Sequence, residues 1–190
     1  MKVIAHKISS IEDLNKLPPK FGVEIDLRQS KNSIVINHDP LYENTCKLDE
    51  YLENFNHSFI IANIKESGIE TEVLNKIKEY TDNFFLLDVE IPFIVQDCGK
   101  NKNFLSIRYS EYESINTVFN LKNYADWVWI DTFTQLPALD ERLSSFKTCL
   151  VSPDRWGRVE DIKEYIDNLN KLSFEIDAVM TDKEYLHLWS

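Results

Sequence analysis

Gly22-Val23-Glu24-Ile25-Asp26-Leu27-Arg28 is an apolar run in which carboxylates occupy two alternate positions. This alternation predicts a β-strand, and residues two apart on a strand project from the same face. At a rise of ~3.3 Å per residue, the Glu24 and Asp26 carboxylates lie roughly 7 Å apart. They sit towards the C-terminal end of the run, which is where α/β folds place their chemistry. The stretch therefore predicts a strand that ends in an acidic pair suited to a hard divalent cation.

Seven other apolar runs have the same β-like character, and most are separated by stretches with helical periodicity. The predicted strands are residues 2–6, 22–27, 59–64, 83–88, 104–109, 127–131, 148–151 and 178–180. The predicted helices are residues 10–17, 47–55, 70–80, 114–121, 139–146, 159–172 and 183–188. A further extended piece is predicted at 34–37, and a short helix within 91–103. Ser10 and Ser114 are predicted to cap the helices that they precede.

Eight β/α units in sequence predict an α/β fold, a compact (β/α)8 TIM barrel that forms a single domain over residues 1–190. The length is below the ~200–250 residues usual for this fold. Polar residues follow strand after strand, and a closed barrel brings all such strand ends to one mouth. These residues are His6, Asp26, Asn63, Lys65, Asp88, Arg108, Asp131, Ser152 and Asp182.

The composition restricts the classes of partner. A formal net charge of −11, with no Lys/Arg-rich run, argues against binding to nucleic acid. Three widely spaced cysteines indicate neither a disulfide framework nor a zinc site. The sequence shows neither a signal-peptide pattern nor a run of ~20 apolar residues, so we expect a cytoplasmic protein without an integral membrane segment. The sequence does not predict an oligomeric state.

Two histidines accompany the acidic pair. His6 follows the apolar run Val3-Ile4-Ala5, and His38 follows Ile34-Val35-Ile36-Asn37. Imidazoles titrate near neutral pH, so two of them can supply a general base and a general acid. Hydrolysis of an anionic ester needs both groups, together with positive charge on its oxygens. A metal on the carboxylates, with Lys65 and Arg108, would provide that charge. The same carboxylates could instead form a structural ion network with neighbouring cations.

The order His6-Lys7, Glu24-x-Asp26, His38-Asp39-Pro40 resembles the glycerophosphodiester phosphodiesterases, which are barrels of the superfamily that includes phosphatidylinositol-specific phospholipase C. The likeness is close over about the first 65 residues, and Thr181-Asp182 is similar to the closing segment of the family. The resemblance implies that His6 and His38 are the catalytic acid–base pair. It also implies that Glu24 and Asp26 bind a divalent cation. We expect this ion to be Mg²⁺ or Ca²⁺, and we expect Lys7 and Lys65 to contact the phosphate.

The chain departs from the family pattern at two of these positions. Lys7 replaces an arginine, which keeps the charge but loses the bidentate fork that grips a phosphate. Asn63, in Asn63-Ile64-Lys65, replaces the glutamate of a Glu-x-Lys motif. An amide oxygen can coordinate Mg²⁺ or Ca²⁺, but with one negative charge fewer we expect a weaker metal site. Asp88 or Asp131 could supply the missing carboxylate.

Two features of the second half also bear on the site. The loop that contains Arg155, Trp156 and Arg158 follows the seventh predicted strand and could hold a phosphate and stack on a sugar or base. It could equally be a helix-entry turn with arginines in solvent. Trp127 and Trp129 alternate on the sixth strand, so we expect both to point outward beneath a helix.

These observations predict metal-dependent hydrolysis of a small phosphodiester, either glycerophosphodiester-like or glycan-linked. Two alternatives remain. One is a catalytically impaired barrel that binds a phosphorylated ligand or a partner protein. The other is a cyclising lyase of the phospholipase C type, in which a substrate hydroxyl attacks the phosphorus.

Overall fold

The structure is a computed structural model that describes residues 1–40 and 45–190. This part of the chain contains ten β-strands and seven α-helices. The strands are β1 (Lys2–Ala5), β2 (Gly22–Ser30), β3 (Ser33–Ile36), β4 (Cys46–Lys47), β5 (Ile60–Ile64), β6 (Phe84–Leu87), β7 (Ser106–Tyr109), β8 (Trp127–Ile130), β9 (Lys147–Val151) and β10 (Ala178–Thr181). The helices are α1 (Ile11–Lys16), α2 (Leu48–Glu53), α3 (Glu70–Lys78), α4 (Ile91–Gln96), α5 (Ile115–Asn120), α6 (Ile162–Leu169) and α7 (Leu186–Trp189).

Eight of the described strands pair in parallel around a barrel in the order β1, β2, β5, β6, β7, β8, β9, β10, and β10 returns to β1. The junction between β6 and β7 is the weakest. There a single parallel bridge joins Leu86 to Leu105, and the Ser106 hydroxyl donates to the Leu86 carbonyl at 2.8 Å. The predicted (β/α)8 barrel is therefore confirmed.

The C-terminal part of β2 extends beyond the barrel and forms an antiparallel hairpin with β3. β2 continues three residues beyond its predicted end and pairs with β3, which in turn pairs with β4. The predicted extended piece at 34–37 is thus β3, shifted by one residue. The Asn37 N–H donates to the Asp26 carbonyl at 2.9 Å, and this bond fixes the start of the segment that carries His38. The hairpin therefore brings His38, which does not belong to a barrel strand, to the barrel mouth.

The core has two parts, because alternate residues of each barrel strand face opposite ways. Outward-facing residues such as Val128 and Ile130 pack against the surrounding helices. Inward-facing residues fill the barrel with rings and aliphatic side chains, namely Ile4, Phe59, Ile61, Phe85, Leu87, Trp127, Trp129, Cys149, Val151, Ala178 and Met180. Trp127 and Trp129 share a face as predicted, but their expected outward direction is wrong. Their indoles fill the barrel interior, while the smaller Val128 and Ile130 meet the helices.

Short connections explain how the barrel fits into 190 residues. The longest described helix, α3, has only nine residues. The helix predicted at 139–146 is instead a 3-10 helix, Glu141–Ser145, and the helices predicted at 159–172 and 183–188 each begin with a 3-10 turn.

Ser10 and Ser114 cap α1 and α5 as predicted, since their side chains accept hydrogen bonds from Asp13 and Asn116 N–H. No described helix combines the length and apolar character needed to cross a bilayer.

Candidate active site

A cavity of about 400 Å³ opens at the C-terminal ends of the barrel strands. Histidines, carboxylates and cations line it together with aromatic and aliphatic side chains. The lining residues are His6, Glu24, Asp26, His38, Asn63, Lys65, Leu87, Asp88, Arg108, Trp129, Asp131, Phe133, Val151, Arg155, Trp156 and Met180. The four residues singled out from the N-terminal sequence, His6, Glu24, Asp26 and His38, thus share one cavity with most of the other candidates.

Glu24 and Asp26 point into the barrel from β2, and both are 2% exposed. Glu24 Oε2 accepts the Lys7 main-chain N–H at 3.0 Å, and Glu24 Oε1 accepts the Asn63 side-chain amide at 3.0 Å. Burial raises the pKa of the Glu24 carboxyl, and the neighbouring Asp26 carboxylate raises it further. The two carboxylates are therefore held close together in a poorly solvated place, which favours a positive charge between or beside them.

Asn63 gives a specific indication of what could bind there. Its Nδ2 donates to Glu24, which leaves Oδ1 buried and without a hydrogen-bond partner in the described residues. A buried acceptor without a donor costs free energy unless a ligand satisfies it. Within residues 1–40 and 45–190, no three His, Cys, Asp or Glu side chains are placed to share a metal ion. An oxygen set of Glu24, Asp26 and Asn63 nonetheless has the hard-donor character that Mg²⁺ and Ca²⁺ require.

His6 is oriented by the other end of the chain. Its Nδ1 lies 3.0 Å from Asp182 Oδ1, and its Nε2 lies 3.9 Å from Glu24 Oε2. Arg155 donates from Nη1 to both Asp182 oxygens, at 3.0 and 2.9 Å. The hydrogen bond to His6, reinforced by Arg155, lowers the pKa of Asp182. An Asp182 carboxylate that accepts from Nδ1–H leaves Nε2 free for proton transfer on the cavity side.

His38 reaches the cavity from the hairpin and is much more exposed than His6. The Arg28 guanidinium holds its backbone, donating from Nε to the His38 carbonyl at 2.9 Å. Its imidazole Nδ1 lies 3.0 Å from Asp39 Oδ1. The two histidines thus approach the cavity differently, one from the barrel wall and one from the rim.

The cations of the cavity are already paired with carboxylates. Lys65 Nζ lies 3.3 Å from Asp26 Oδ1 and 3.8 Å from Asp88 Oδ2. Arg108 donates to Asp88 from Nε at 3.1 Å and from Nη2 at 2.6 Å, and also to Asp131 from Nη1. Four lining carboxylates face three lining cations, so the lining carries a formal charge of −1 with neutral histidines. Added positive charge would therefore strengthen the binding of an anionic substrate.

Lys7 and Arg158, both candidate phosphate contacts, do not line the cavity. Lys7 has a positive φ of 56° and contributes its main-chain N–H to Glu24, while its side chain is exposed. Arg158 donates to the Thr132 carbonyl, to Asp161 and to the Tyr165 hydroxyl. In this structure Lys7 and Arg158 shape the loops that carry them, and their contact with a phosphate stays a prediction.

The predicted site residues did not include Trp129 and Phe133, which line the cavity, and gave Asp182 a place at the barrel mouth but no partner. A closed barrel places its last strand beside its first, so the barrel prediction itself could have brought Asp182 to His6. The inward direction of Trp129 has no comparable signal in the sequence.

Asp182 gives a pH prediction whose sign is fixed by its lowered pKa. The pKa of the Asp182 carboxyl is lower in the folded state than its ordinary value of 3.8, so ionised Asp182 stabilises the fold above that pH. The stabilisation is lost as the pH falls from about 4 through the folded-state pKa. We expect Asp182→Asn to show a shallower loss of unfolding free energy below pH 4 than the wild type, measured by urea denaturation. Asp167→Asn, at an exposed position on α6, is the control. Equal pH dependence in the wild type and Asp182→Asn would contradict the stabilising interactions of Asp182 with His6 and Arg155.

The cavity and the barrel define the class of protein: a (β/α)8 barrel with a histidine- and carboxylate-lined site at its mouth. No protein-family model matches the chain, and no curated protein matches it in sequence. Solved structures do match the fold. A candidate glycerophosphodiester phosphodiesterase from Galdieria sulphuraria aligns over 99% of this chain and 96% of its own, with a TM-score of 0.69 and 14% identity.

Two further structures give the same result. A glycerophosphoryl diester phosphodiesterase from Parabacteroides distasonis aligns over 97% of this chain and 84% of its own (TM-score 0.65, 13% identity). A glycerophosphodiester phosphodiesterase from Agrobacterium tumefaciens aligns over 97% and 98% (TM-score 0.61, 12% identity). The chain therefore has the glycerophosphodiester phosphodiesterase fold, as the sequence motifs indicated. At these identities the likeness establishes the fold alone.

Proposed function

We propose that this protein hydrolyses a small phosphodiester in the cavity at the barrel mouth, with His6 and His38 as its acid–base pair. The observation that carries the proposal is the convergence of both histidines on one cavity with the buried Glu24 and Asp26. The shared fold with glycerophosphodiester phosphodiesterases supports the same class of reaction. Glycerophosphodiesters or glycan-linked phosphodiesters are the proposed substrates.

The two histidines divide the proton transfers. One neutral imidazole takes the proton of the attacking water, and one protonated imidazole gives a proton to the leaving alkoxide. His6 acts through Nε2, because Asp182 occupies Nδ1 and keeps the ring in one orientation. His38 acts from the rim, where solvent can restore its protonation state after each turnover. Lys65, Arg108 and Arg155, the cations that line the cavity, would bind the non-bridging oxygens.

We propose further that Glu24, Asp26 and Asn63 hold a divalent cation, Mg²⁺ or Ca²⁺. Support comes from the unpartnered Asn63 Oδ1, the burial of both carboxylates and the formal charge of −1 on the lining. A bound divalent cation supplies the positive charge that an anionic substrate requires.

A second candidate function rests on Asn63. An amide in the place of a carboxylate weakens the hold on a cation, and a barrel that loses its cation could still bind a phosphorylated ligand through Lys65 and Arg108. The experiment that separates the two functions strips the protein with EDTA and then adds Mg²⁺ or Ca²⁺. Hydrolysis of glycerophosphocholine and of bis-p-nitrophenyl phosphate is followed before and after the addition. We expect turnover only with the cation. A rise in melting temperature with inorganic phosphate but no turnover with either ion would favour the binding function.

Asn63→Asp tests the metal site through stability rather than activity. Without a cation, a third carboxylate beside Glu24 and Asp26 adds repulsion and removes the amide donor to Glu24, so the melting temperature should fall below that of the wild type. With the cation, the added charge should strengthen binding by about tenfold or more and give a larger rise in melting temperature. Asp167→Asn should behave as the wild type. No cation-dependent shift in either the wild type or Asn63→Asp would rule out the site.

A further inference from the structure

Three aromatic side chains form a continuous strip along one side of the cavity mouth. We refer to Tyr112, Phe133 and Trp156 as the aromatic strip. The Phe133 ring centroid lies 4.7 Å from that of Trp156 and 5.9 Å from that of Tyr112. Phe133 and Trp156 line the cavity, and Tyr112, 72% exposed, continues the strip outward. Partly exposed rings beside a charged cavity offer a surface that part of a substrate can cover.

The loops that carry the strip are tied to one another. Thr134 donates from its N–H and its hydroxyl to Glu111 Oε1, at 2.5 and 2.8 Å, which joins the loops after β8 and β7. Arg158 donates to the Thr132 carbonyl and so joins the loops after β9 and β8. The Trp156 indole N–H is fixed by Asp131 Oδ1 at 3.0 Å. Because these loops are already held in place, a ligand that covers the rings loses little free energy to ordering them.

The strip lies across the barrel from the proposed catalytic groups. His6, Glu24 and Asn63 belong to or follow β1, β2 and β5, and the strip follows β7, β8 and β9. In the strand order around the barrel these two sets of strands face each other. A phosphoryl group held near the histidines would extend one of its two alcohols towards Phe133 and Trp156.

We propose that this alcohol carries a ring whose face stacks on Phe133 and Trp156, so that the strip selects ring-bearing phosphodiesters over glycerol-like ones. This inference rests on the proposed function. A nucleoside base and a sugar ring share the required chemistry, a flat face of ring size. The apolar surface is bordered by the polar Glu111 and Thr134, so it suits a ring better than an alkyl chain.

The test compares inhibition of diester hydrolysis by AMP, glucose 1-phosphate and glycerol 3-phosphate. We expect at least one ring-bearing monoester to inhibit at about fivefold or lower concentration than glycerol 3-phosphate, as stacking of one ring gives. Tighter binding of AMP alone identifies a base, and tighter binding of glucose 1-phosphate identifies a sugar. Phe133→Leu keeps apolar volume without a ring face and should abolish the preference. Tyr80→Ala, which removes an exposed aromatic following α3, should retain the preference.

Equal inhibition by all three monoesters, or an unchanged preference in both Phe133→Leu and Trp156→Ala, would overturn the inference. Its failure is distinguishable from failure of the proposed function. If the wild type hydrolyses no diester, binding of the same three monoesters is measured by calorimetry. Tighter binding of a ring-bearing monoester without diester hydrolysis would support the role of the aromatic strip and contradict the proposed hydrolysis. Diester hydrolysis without such a preference would support the proposed hydrolysis and contradict the role of the strip.

Discussion

Replacing His6 with alanine is expected to lower kcat for phosphodiester hydrolysis by about 10²- to 10⁴-fold, the usual contribution of a positioned acid or base. The reason is geometric. Asp182 holds Nδ1 at 3.0 Å, so Nε2 is the nitrogen available to the substrate, and alanine removes it. The melting temperature should fall only by the loss of the hydrogen bond to Asp182, because the side chain lies at the mouth rather than in the core. Steady-state kinetics on a glycerophosphodiester measure the effect.

Two further variants sharpen this result. His6→Asn keeps an N–H donor near the position of Nδ1 but cannot take up a proton, so it should be as inactive as His6→Ala. His187→Ala removes an exposed histidine on α7 that bonds only to a main-chain carbonyl among the described residues, and it should retain full activity. More than a tenth of wild-type kcat in His6→Ala would contradict a catalytic role for His6.

Trp127→Ala is expected to be the most damaging single change to stability, at about 3–5 kcal/mol of unfolding free energy. The indole is 4% exposed and packs inside the barrel, with ring centroids 5.2 Å from Phe59 and 4.8 Å from Phe85. Its loss leaves a cavity lined by rings that cannot all move inward, because each is fixed to a barrel strand. Urea denaturation with a constant m-value measures the loss.

Tyr80→Ala is the matched control for this prediction, since Tyr80 is 46% exposed. It should alter the unfolding free energy by no more than about 0.5 kcal/mol. A loss of less than about 1 kcal/mol in Trp127→Ala would mean that the indole is not enclosed by the barrel. Such a result would contradict the inward placement of the β8 aromatic residues.

Short apolar runs that end in polar residues made the barrel predictable. The runs around Val23–Leu27 and Ile60–Ile64 show which residues are strands, and Glu24, Asp26 and Asn63 show which end of the strands carries the chemistry. The direction of Trp127 and Trp129 was not predictable from this pattern. Alternation says that two residues share a face, but the choice of face depends on how the rings of Phe59 and Phe85 on other strands fill the interior.

The ion-pair partners of the charged side chains could not be predicted from the sequence either. Arg108, Arg155 and Arg158 look alike as arginines after strands, yet Arg108 bridges Asp88 and Asp131, Arg155 holds Asp182, and Arg158 ties two loops. Each outcome depends on a partner on another strand or loop. The α-helix predicted at 139–146 is also wrong. This short connection between β8 and β9 forms a 3-10 helix instead.

The central claim is that the cavity hydrolyses a phosphodiester through its two histidines. Phosphorus NMR of glycerophosphocholine and of bis-p-nitrophenyl phosphate, each incubated with the protein and Mg²⁺ or Ca²⁺, tests it most directly. We predict that the diester resonance is replaced by that of a phosphomonoester, and that His6→Ala and His38→Ala abolish this conversion. A cyclic phosphate resonance would identify the cyclising reaction instead. An unchanged diester resonance with the wild type, or conversion at equal rates in the histidine variants, would contradict the claim.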